Sequence, residues 1–452
     1  MAELGRCLRA VILGGAILLA AWAPVAGGGE GREAAEALGR HRSVSGLPAV
    51  DGDSGSGAQA HATYLARNLG RPEVAGLRVH EEDQSLPGAT AEGAAAAKRS
   101  HVASGDRSAS SMIDGLIGAP LHRHALMDPR LDRIAVGRAG DGSAAAPYQW
   151  VVDLSSADHP WAGPPVAVAY PGPGQMHVPT RFPEGETPDP RAAVAGPAAA
   201  LGGMGYPVTL SFFGCWPTAT TARLTSLGTA LPDGTIVPMG EADVPIHLLT
   251  PGTTIRTDTG DRAVEPVLFF ARDVLRPQTA YRATVVATCG SLGTSTYEWS
   301  FATRPRLRPA DVSVAVGAPS VGGAQDVVLV AEAGGIAVPA RVSEVQASFT
   351  TQGSRTGAGP VIGGAPEIVL DEAQADSYGR MRLRINLRGA TSADVTAIVT
   401  DAYADHEGAA VPVTFTMRPV ASGADKVVVP STAPFSRLQD SRPSWVPDPI
   451  GR

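Results

Sequence analysis

Short runs of β-branched and aromatic residues, separated by turns that contain Gly or Pro, recur through residues 205–418. Six runs fall in 205–305 and six more in 309–418. Runs of this length and spacing are typical of antiparallel β-sandwiches of about 100 residues. The 53 Gly and 38 Pro among the 452 residues agree with a chain that makes many turns. The pattern therefore predicts two consecutive β-sandwiches.

Alternation within two of these runs predicts which side chains are buried. In Met381–Leu387 apolar residues alternate with Arg and Asn, so one face of this strand should meet water. Trp299 and Phe301 alternate in the same way, and we expect both in the core of the first sandwich. The surrounding runs YRATVVAT and STYEWSFAT resemble the closing strands of bacterial immunoglobulin-like modules. The resemblance implies an immunoglobulin-like sandwich at 205–305, and the repeated spacing predicts a second at 309–418.

Charge and composition exclude several classes of protein. Charged residues make up 18% of the chain, hydrophobic residues 44%, and the formal net charge is −7. A globally disordered chain would be more charged and less apolar. A nucleic-acid partner is not expected, because such proteins usually carry a basic surface.

The N-terminus has the order of a secretory signal peptide. Arg6 and Arg9 precede the apolar run Val11–Ala23, and small residues follow it. A membrane span needs about 20 apolar residues, so this run is too short. We expect a signal peptide at 1–26 and an exported protein, extracellular, periplasmic or at the cell surface, with no transmembrane span after cleavage. The alternative is an uncleaved N-terminal anchor.

Cysteine usage agrees with export. Loss of the leader removes Cys7 and leaves Cys215 and Cys289, each after a strand-like run. An even pair in an exported chain permits one disulfide, which would stabilise the fold by about 4 kcal/mol. Two buried free thiols are the alternative.

The residues before the sandwiches divide into two segments. Residues 32–156 hold helical patterns, most of the histidines and two strand candidates. Residues 157–204 are rich in Pro, Gly and Ala and should connect the parts of the chain, with one strand-like run at Val166–Tyr170. The last segment, 419–452, shows no periodicity, and we expect a flexible tail there.

Several stretches of 32–156 resemble the CAP superfamily, whose common unit is the SCP domain. They are ALGRHRSVSGLPAV with Gly39 in place of the usual Asn, AQAHATYLARN, HEEDQSLPGATAEGAAAAKRS, and APLHRHALMDPRLDRIAVGRA. The last stretch carries His-Arg, Asp-Pro and a Val-Gly strand in the family's order. The resemblance covers about 125 residues and implies an α-β-α sandwich. The expected fold class is thus a multidomain chain, with this sandwich followed by two all-β immunoglobulin-like sandwiches.

The resemblance also implies a cavity with two histidines and two glutamates. His80 matches the first cavity histidine and His122 the second. Glu81 or Glu82 would supply one carboxylate, and Glu92 lies near the position of the other. The family's Gly-Glu-Asn-Ile motif corresponds here to SHVASG at 100–105, which contains no Glu.

Two chemistries remain open for these cavity residues. His80 and His122 with a carboxylate would hold a divalent metal, zinc or calcium, and acidify a bound water for hydrolysis. Alternatively, the same side chains form a hydrogen-bonded polar cluster. We therefore expect a protein without catalytic activity that binds a small ligand, an ion or an extracellular partner such as a glycan or a protein. A divergent hydrolase is the alternative, and no catalytic residue is assigned.

The remaining polar residues of this segment have ordinary structural explanations. His61 should lie within a helix at Gly57–Leu69, at the boundary between its apolar and polar faces, and bond a backbone carbonyl, while His124 and His41 should be exposed. His101 lies near the position of the missing glutamate. Arg123 should cap the end of the preceding helix or pair with Asp128.

Overall fold

The computed structural model of the protein describes residues 28–417, apart from a set of short segments. These segments are 106–107, 144, 183–185, 195–202, 258–259, 291–292, 308–310, 320–323, 334–335, 338–339, 351–366, 373–379, 387–391 and 402–409. The expected signal peptide at 1–26 and the expected tail at 419–452 lie outside the described residues.

The five α-helices with both ends described lie in the first third of the described chain, residues 192–194 are also helical, and the ends of the five follow from local chemistry. Thr90 caps one helix by accepting a hydrogen bond from the amide of Gly93, and Ser108 caps the next through Ser111. Pro120 begins the last helix at a position where a missing N–H costs nothing. The helices are α1 (Gly28–Val44), α2 (Ser56–Arg67), α3 (Ala91–Ala97), α4 (Ala109–Gly118) and α5 (Pro120–Leu126), with 3-10 turns at Pro72–Val74, Gly76–His80 and Ser155–Ala157.

A four-stranded sheet lies among these helices in the order β1-β3-β4-β2. Strands β1 and β3 are parallel, and the other neighbours are antiparallel. Helix α2 crosses the sheet closely at Gly137, where a Cβ atom would lie 2.3 Å from the backbone of Ala58. The strands are β1 (Asp51–Ser54), β2 (Ser100–Ser104), β3 (Arg133–Ala139) and β4 (Gln149–Asp153).

Two antiparallel-dominated sheets follow, and their inward side chains pack together. One sheet has the order β10-β13-β7-β5 and the other β6-β15-β14-β8-β9, beside a hairpin of β11 and β12. The strands are β5 (Val166–Tyr170), β6 (Gln175–Val178), β7 (Val208–Phe213), β8 (Thr218–Ala230), β9 (Ile236–Val244), β10 (Ile246–Leu249), β11 (Thr254–Thr257), β12 (Gly260–Ala263), β13 (Val267–Ala271), β14 (Thr279–Thr288) and β15 (Thr294–Thr303). Trp299 and Phe301 are both buried, as their alternation predicts.

The last part of the described chain forms two further sheets. The first has the order β16-β17-β21-β20, with β18 paired to β17, and the second has the order β19-β22-β23. Met381, Leu383 and Ile385 are fully buried while Arg382 and Arg384 are exposed, so the predicted alternation is confirmed. The strands are β16 (Val312–Pro319), β17 (Ala324–Ala333), β18 (Ile336–Ala337), β19 (Ala340–Thr350), β20 (Glu367–Glu372), β21 (Arg380–Asn386), β22 (Ser392–Asp401) and β23 (Ala410–Met417).

The boundaries between the large apolar clusters differ from the segment boundaries that the sequence patterns predict. One continuous cluster runs from Ala34 in α1 through Trp150 in β4 to Phe301 in β15. A separate cluster begins at Leu307 and includes residues of both later sheets. We call residues 28–304 the first core unit and residues 307–417 the second core unit.

The expected fold class is wrong. The described residues form 23 strands, five α-helices with both ends described and a helical stretch at 192–194. This mostly β chain does not fit an α-β-α sandwich of the CAP type followed by two independent immunoglobulin-like sandwiches. The physical reason lies in residues 157–204, which the sequence predicts to be a connecting segment. Its run Val166–Tyr170 is strand β5, which pairs with β7, so the helical part and the next sheets close over one core. The residue boundaries predicted from the sequence stay predictions.

No helix among the described residues is long and apolar enough to cross a membrane.

Candidate functional site

The structure separates the predicted carboxylates from the predicted cavity histidines. Glu82 pairs with His61 instead, with 2.9 Å between Oε1 and Nδ1 and both side chains fully buried. Its other oxygen accepts a hydrogen bond from the amide of Thr90 at 2.8 Å, and His61 Nε2 donates to the carbonyl of Val79 at 2.7 Å. One proton must therefore lie between His61 and Glu82. The pair ties α2 to the segment before α3.

The other two predicted carboxylates do not complete a cavity. Glu81 is exposed, and Glu92 is also exposed and accepts a hydrogen bond from the hydroxyl of Ser56. Within the part of the chain that the structure describes, no group of three or more His, Cys, Asp or Glu side chains has an arrangement able to hold a metal ion. The residues present therefore do not fit the predicted zinc or calcium site at His80 and His122, and we derive no chemistry through a metal.

Three histidines do approach one another. The rings of His101 and His122 meet edge to face with centroids 4.8 Å apart, and His101 Nε2 donates to the carbonyl of His122 at 2.8 Å. His80 Nδ1 lies 3.3 Å from the carbonyl of Ala97. Burial, and then the neighbouring histidines, lower the pKa of His80 and lower that of His101 further. Both rings are therefore neutral at neutral pH.

A carboxylate that the sequence did not mark completes this cluster. Glu186 Oε1 accepts hydrogen bonds from the amides of Leu121 at 2.7 Å and His122 at 3.2 Å, and lies 3.1 Å from His122 Nδ1. These amides begin α5, whose N-cap residue Ala119 has no capping side chain. Glu186 thus caps α5 from about 65 positions away. The histidine cluster positions a helix, and its hydrogen bonds are used within the fold.

Arg123 caps the C-terminal end of α4, the helix before its own, as the sequence predicts. Its guanidinium donates to the carbonyls of Ile117 at 2.6 Å and Gly118 at 3.4 Å, the last residues of α4. It also donates to the carbonyl of Pro207 at 2.9 Å and lies over the ring of Tyr170. It therefore connects the helical part to the strands of the first core unit. The alternative pairing with Asp128 is absent from these contacts.

A cavity of about 320 Å³ opens beyond the C-terminal end of α5. It lies where the helical part meets the end of β7 and the disulfide that joins Cys215 to Cys289, whose Cα atoms are 5.9 Å apart. The lining side chains combine aromatic and charged groups at a junction between structural elements, as ligand pockets commonly do. They include His124, Asp128, Arg130, Trp216 and Glu265.

Among the lining residues, Trp216 is the large apolar side chain that is exposed to solvent. It is 54% exposed, although tryptophan is usually well buried. The preceding residue is held by the disulfide and the following residue, Pro217, is buried, so the backbone is fixed on both sides of the indole. A rigid exposed tryptophan loses little conformational entropy when a partner covers it.

The charged side chains of the cavity are not equally engaged. Arg130 forms a two-point pair with Asp128, with 3.1 Å from Nε to Oδ1 and 2.6 Å from Nη2 to Oδ2. The carboxylate of Glu265 has only longer contacts, 3.6 Å to His124 Nε2 and 4.0 Å to Arg262 Nη2. Neither is short enough for a hydrogen bond. The Glu265 side chain is 41% exposed, so its oxygens are open to a ligand.

His124 lines the same cavity, and its predicted exposure is wrong. Its ring stacks on Phe213 with centroids 4.8 Å apart, and its Nδ1 is buried without a hydrogen-bond partner. Burial lowers the pKa of His124, which leaves the ring uncharged at neutral pH. Sequence reasoning also missed Trp216 and Glu265. The run Cys-Trp-Pro directly after a strand was the available signal, since it places an aromatic side chain between two rigid residues.

Comparison with known proteins adds little. No family model matches the chain and no curated protein matches it, so the resemblance to the CAP superfamily gains no support. Among solved structures, the chain is similar to the adhesin InvE of Yersinia pseudotuberculosis at 13% identity and a TM-score of 0.18. The match covers 46% of this chain and 53% of that one, so this chain spans about half the length of that structure. So low a TM-score supports no conclusion about fold or function.

Proposed function

We propose that the protein is an exported binding protein without catalytic activity, whose small ligand occupies the cavity beside Trp216. The observation that carries this proposal is the half-exposed indole held between a disulfide and a buried proline at the edge of a 320 Å³ cavity. Tryptophan is one of the residue types enriched at the centre of binding surfaces, and a rigid exposed indole is well suited to covering by a ligand.

The alternative of a hydrolase has less support. It requires a carboxylate that converges with both His80 and His122. Glu82 is engaged with His61, and Glu186 uses its Oε1 to cap α5 and contact His122. Oε2 of Glu186 is buried without a hydrogen-bond partner, whereas the other contacts named here are used within the fold, as expected of a group that stabilises it.

The test is calorimetric titration of the full chain with four small probes. They are choline, N-acetylarginine amide, N-acetylglucosamine and methyl glucoside. We expect at least one probe to bind, and Trp216→Ala to weaken its binding at least tenfold. Met239→Ala is the matched control, because Met239 is also an exposed apolar residue but lies on β9 outside the cavity.

Three further results bear on the proposal. His80→Ala and His122→Ala should leave binding unchanged, because neither side chain lines the cavity. Equal binding to wild type and Trp216→Ala would contradict the proposal. So would the absence of binding by every probe at about 10 mM, a concentration that detects even millimolar affinity.

A further inference from the structure

We infer that the cavity beside Trp216 selects a compact organic cation, a guanidinium or a quaternary ammonium group. The inference rests on the proposed function and adds the chemical class of the ligand. Three features of the cavity carry it, an open aromatic face, an open carboxylate and a neutralised arginine.

The aromatic face belongs to Trp216. An indole ring attracts a cation placed over its face more strongly than a phenyl ring does, because of its larger quadrupole. The face of Trp216 is open, while the other tryptophan nearby, Trp161, already has the guanidinium of Arg130 over its ring at 5.8 Å. Beside this cavity the fold therefore supplies a cation to Trp161, and among the described residues no guanidinium lies over the ring of Trp216.

The carboxylate belongs to Glu265. Its neighbour His124 is uncharged at neutral pH and lies beyond hydrogen-bond distance. Its other neighbour, Arg262, is 4.0 Å away on an exposed hairpin, and exposed pairs at this distance interact weakly. A guanidinium ligand would give the Glu265 carboxylate the short charge-assisted hydrogen bond that it lacks in the fold. A quaternary ammonium, which has no N–H to donate, would form an ion pair with the carboxylate.

The cationic side chain of the cavity does not oppose such a ligand. Arg130 is matched by the two-point pair with Asp128, which raises the pKa of Arg130 and cancels its charge locally. With His124 neutral, the lining residues carry one negative charge beyond this internal pair, on Glu265. A neutral sugar would also stack on Trp216, but it would gain little from that charge.

The experiment compares cations with neutral molecules of the same shape. Choline is titrated beside 3,3-dimethylbutanol, and N-acetylarginine amide beside N-acetylcitrulline amide, into the full chain by calorimetry. We expect at least one cation to bind tenfold or more tightly than its neutral counterpart. The better of the two cations then distinguishes a quaternary ammonium from a guanidinium ligand.

Substitution assigns the effect to Glu265. Glu265→Gln keeps the size of the side chain and should reduce cation binding about tenfold, while leaving the weak binding of the neutral counterparts unchanged. Glu241→Gln is the matched control, because Glu241 is exposed on β9 and pairs with Arg282 away from the cavity. Circular dichroism of each variant confirms that it is folded.

The outcomes separate the two proposals. If neutral molecules bind as tightly as the cations, or if Glu265→Gln has no effect, the inference is overturned. In that case a loss of binding in Trp216→Ala still supports the binding function. If Trp216→Ala leaves all binding intact, both proposals fail.

Discussion

The first and second core units bury different kinds of side chain. Fully buried charged groups, among them Arg42, Arg123 and Glu186, lie in the first unit together with many buried hydroxyl and amide groups. In the described part of the second unit the buried polar residue is Gln325, and the rest of its core is apolar. The first unit therefore depends on specific hydrogen bonds between distant segments, whereas the second depends on alternation along its strands.

Arg42 shows what this dependence means. Its guanidinium is fully buried and donates to the carbonyls of Pro48, Leu126, Asp128 and Leu131 at 2.8–3.0 Å. Burial lowers its pKa to about 10, so it stays charged at neutral pH. One side chain thus satisfies groups from the segment after α1, from the end of α5 and from the loop that follows it, and nothing in the local sequence indicates which carbonyls it will meet.

The largest effect expected from this comparison concerns the disulfide. It closes a loop of about 75 residues within the first unit, and its removal by Cys215→Ser with Cys289→Ser should cost about 4 kcal/mol of unfolding free energy. Scanning calorimetry of the full chain should show the transition of the first unit moving to lower temperature while that of the second stays in place. Two free thiols in the non-reduced protein, or movement of both transitions together, would contradict this.

A smaller effect is expected from removal of one buried arginine. Arg42→Met leaves four buried carbonyls without a donor and should lower the unfolding free energy of the first unit by about 3 kcal/mol. The matched control is Arg384→Met in the second unit, where an exposed arginine pairs with Asp326 at 3.1 Å. That change should cost less than about 1 kcal/mol. Equal losses in urea titrations would mean that the two units do not differ in this way.

The smallest effect is a difference in pH dependence. Burial lowers the pKa of His80, His101 and His124 in the folded first unit, whereas the unfolded chain titrates near 6.5. As the pH falls through 6.5 the unfolded state binds more protons, so the first unit loses stability. The described residues of the second unit contain no histidine.

This pH difference is measured from the melting temperatures of the two transitions between pH 7.5 and 5. The first should fall with acidification and the second should fall less. His101→Gln retains a donor for the carbonyl of His122 and should reduce the slope of the first transition. An unchanged slope in this variant would exclude His101 as a source of the dependence.

The same contrast explains what the sequence could predict. Alternation identified the buried faces of β21 and β15, because the two-residue period of a strand can be recognised from neighbouring residues alone. Local rules also placed the cap that Arg123 gives to α4. The pairs His61–Glu82 and His122–Glu186 were missed, because the partners lie 21 and 64 positions apart and meet only through the tertiary fold.

The fold-class error has the same origin. Residues 32–156 were expected to hold helical patterns, and helices α1 to α5 do lie there or begin just before it, but these patterns did not indicate where the core would close. The Pro- and Gly-rich segment after them contains β5, whose pairing with β7 is a long-range event. For the cavity, the sequence supplied rigid neighbours for Trp216 but no information that Glu265 would line the same cavity.

The shared core also determines which segments of this chain can be exchanged with segments of other proteins. A fusion or recombination boundary at residue 157 would cut through packed side chains on both sides, because Trp150 and Phe301 belong to one cluster. A boundary just after Arg304 would pass between two clusters. We therefore expect chimaeras to fold when they contain residues 28–304 as a whole. The second core unit should be replaceable by another domain.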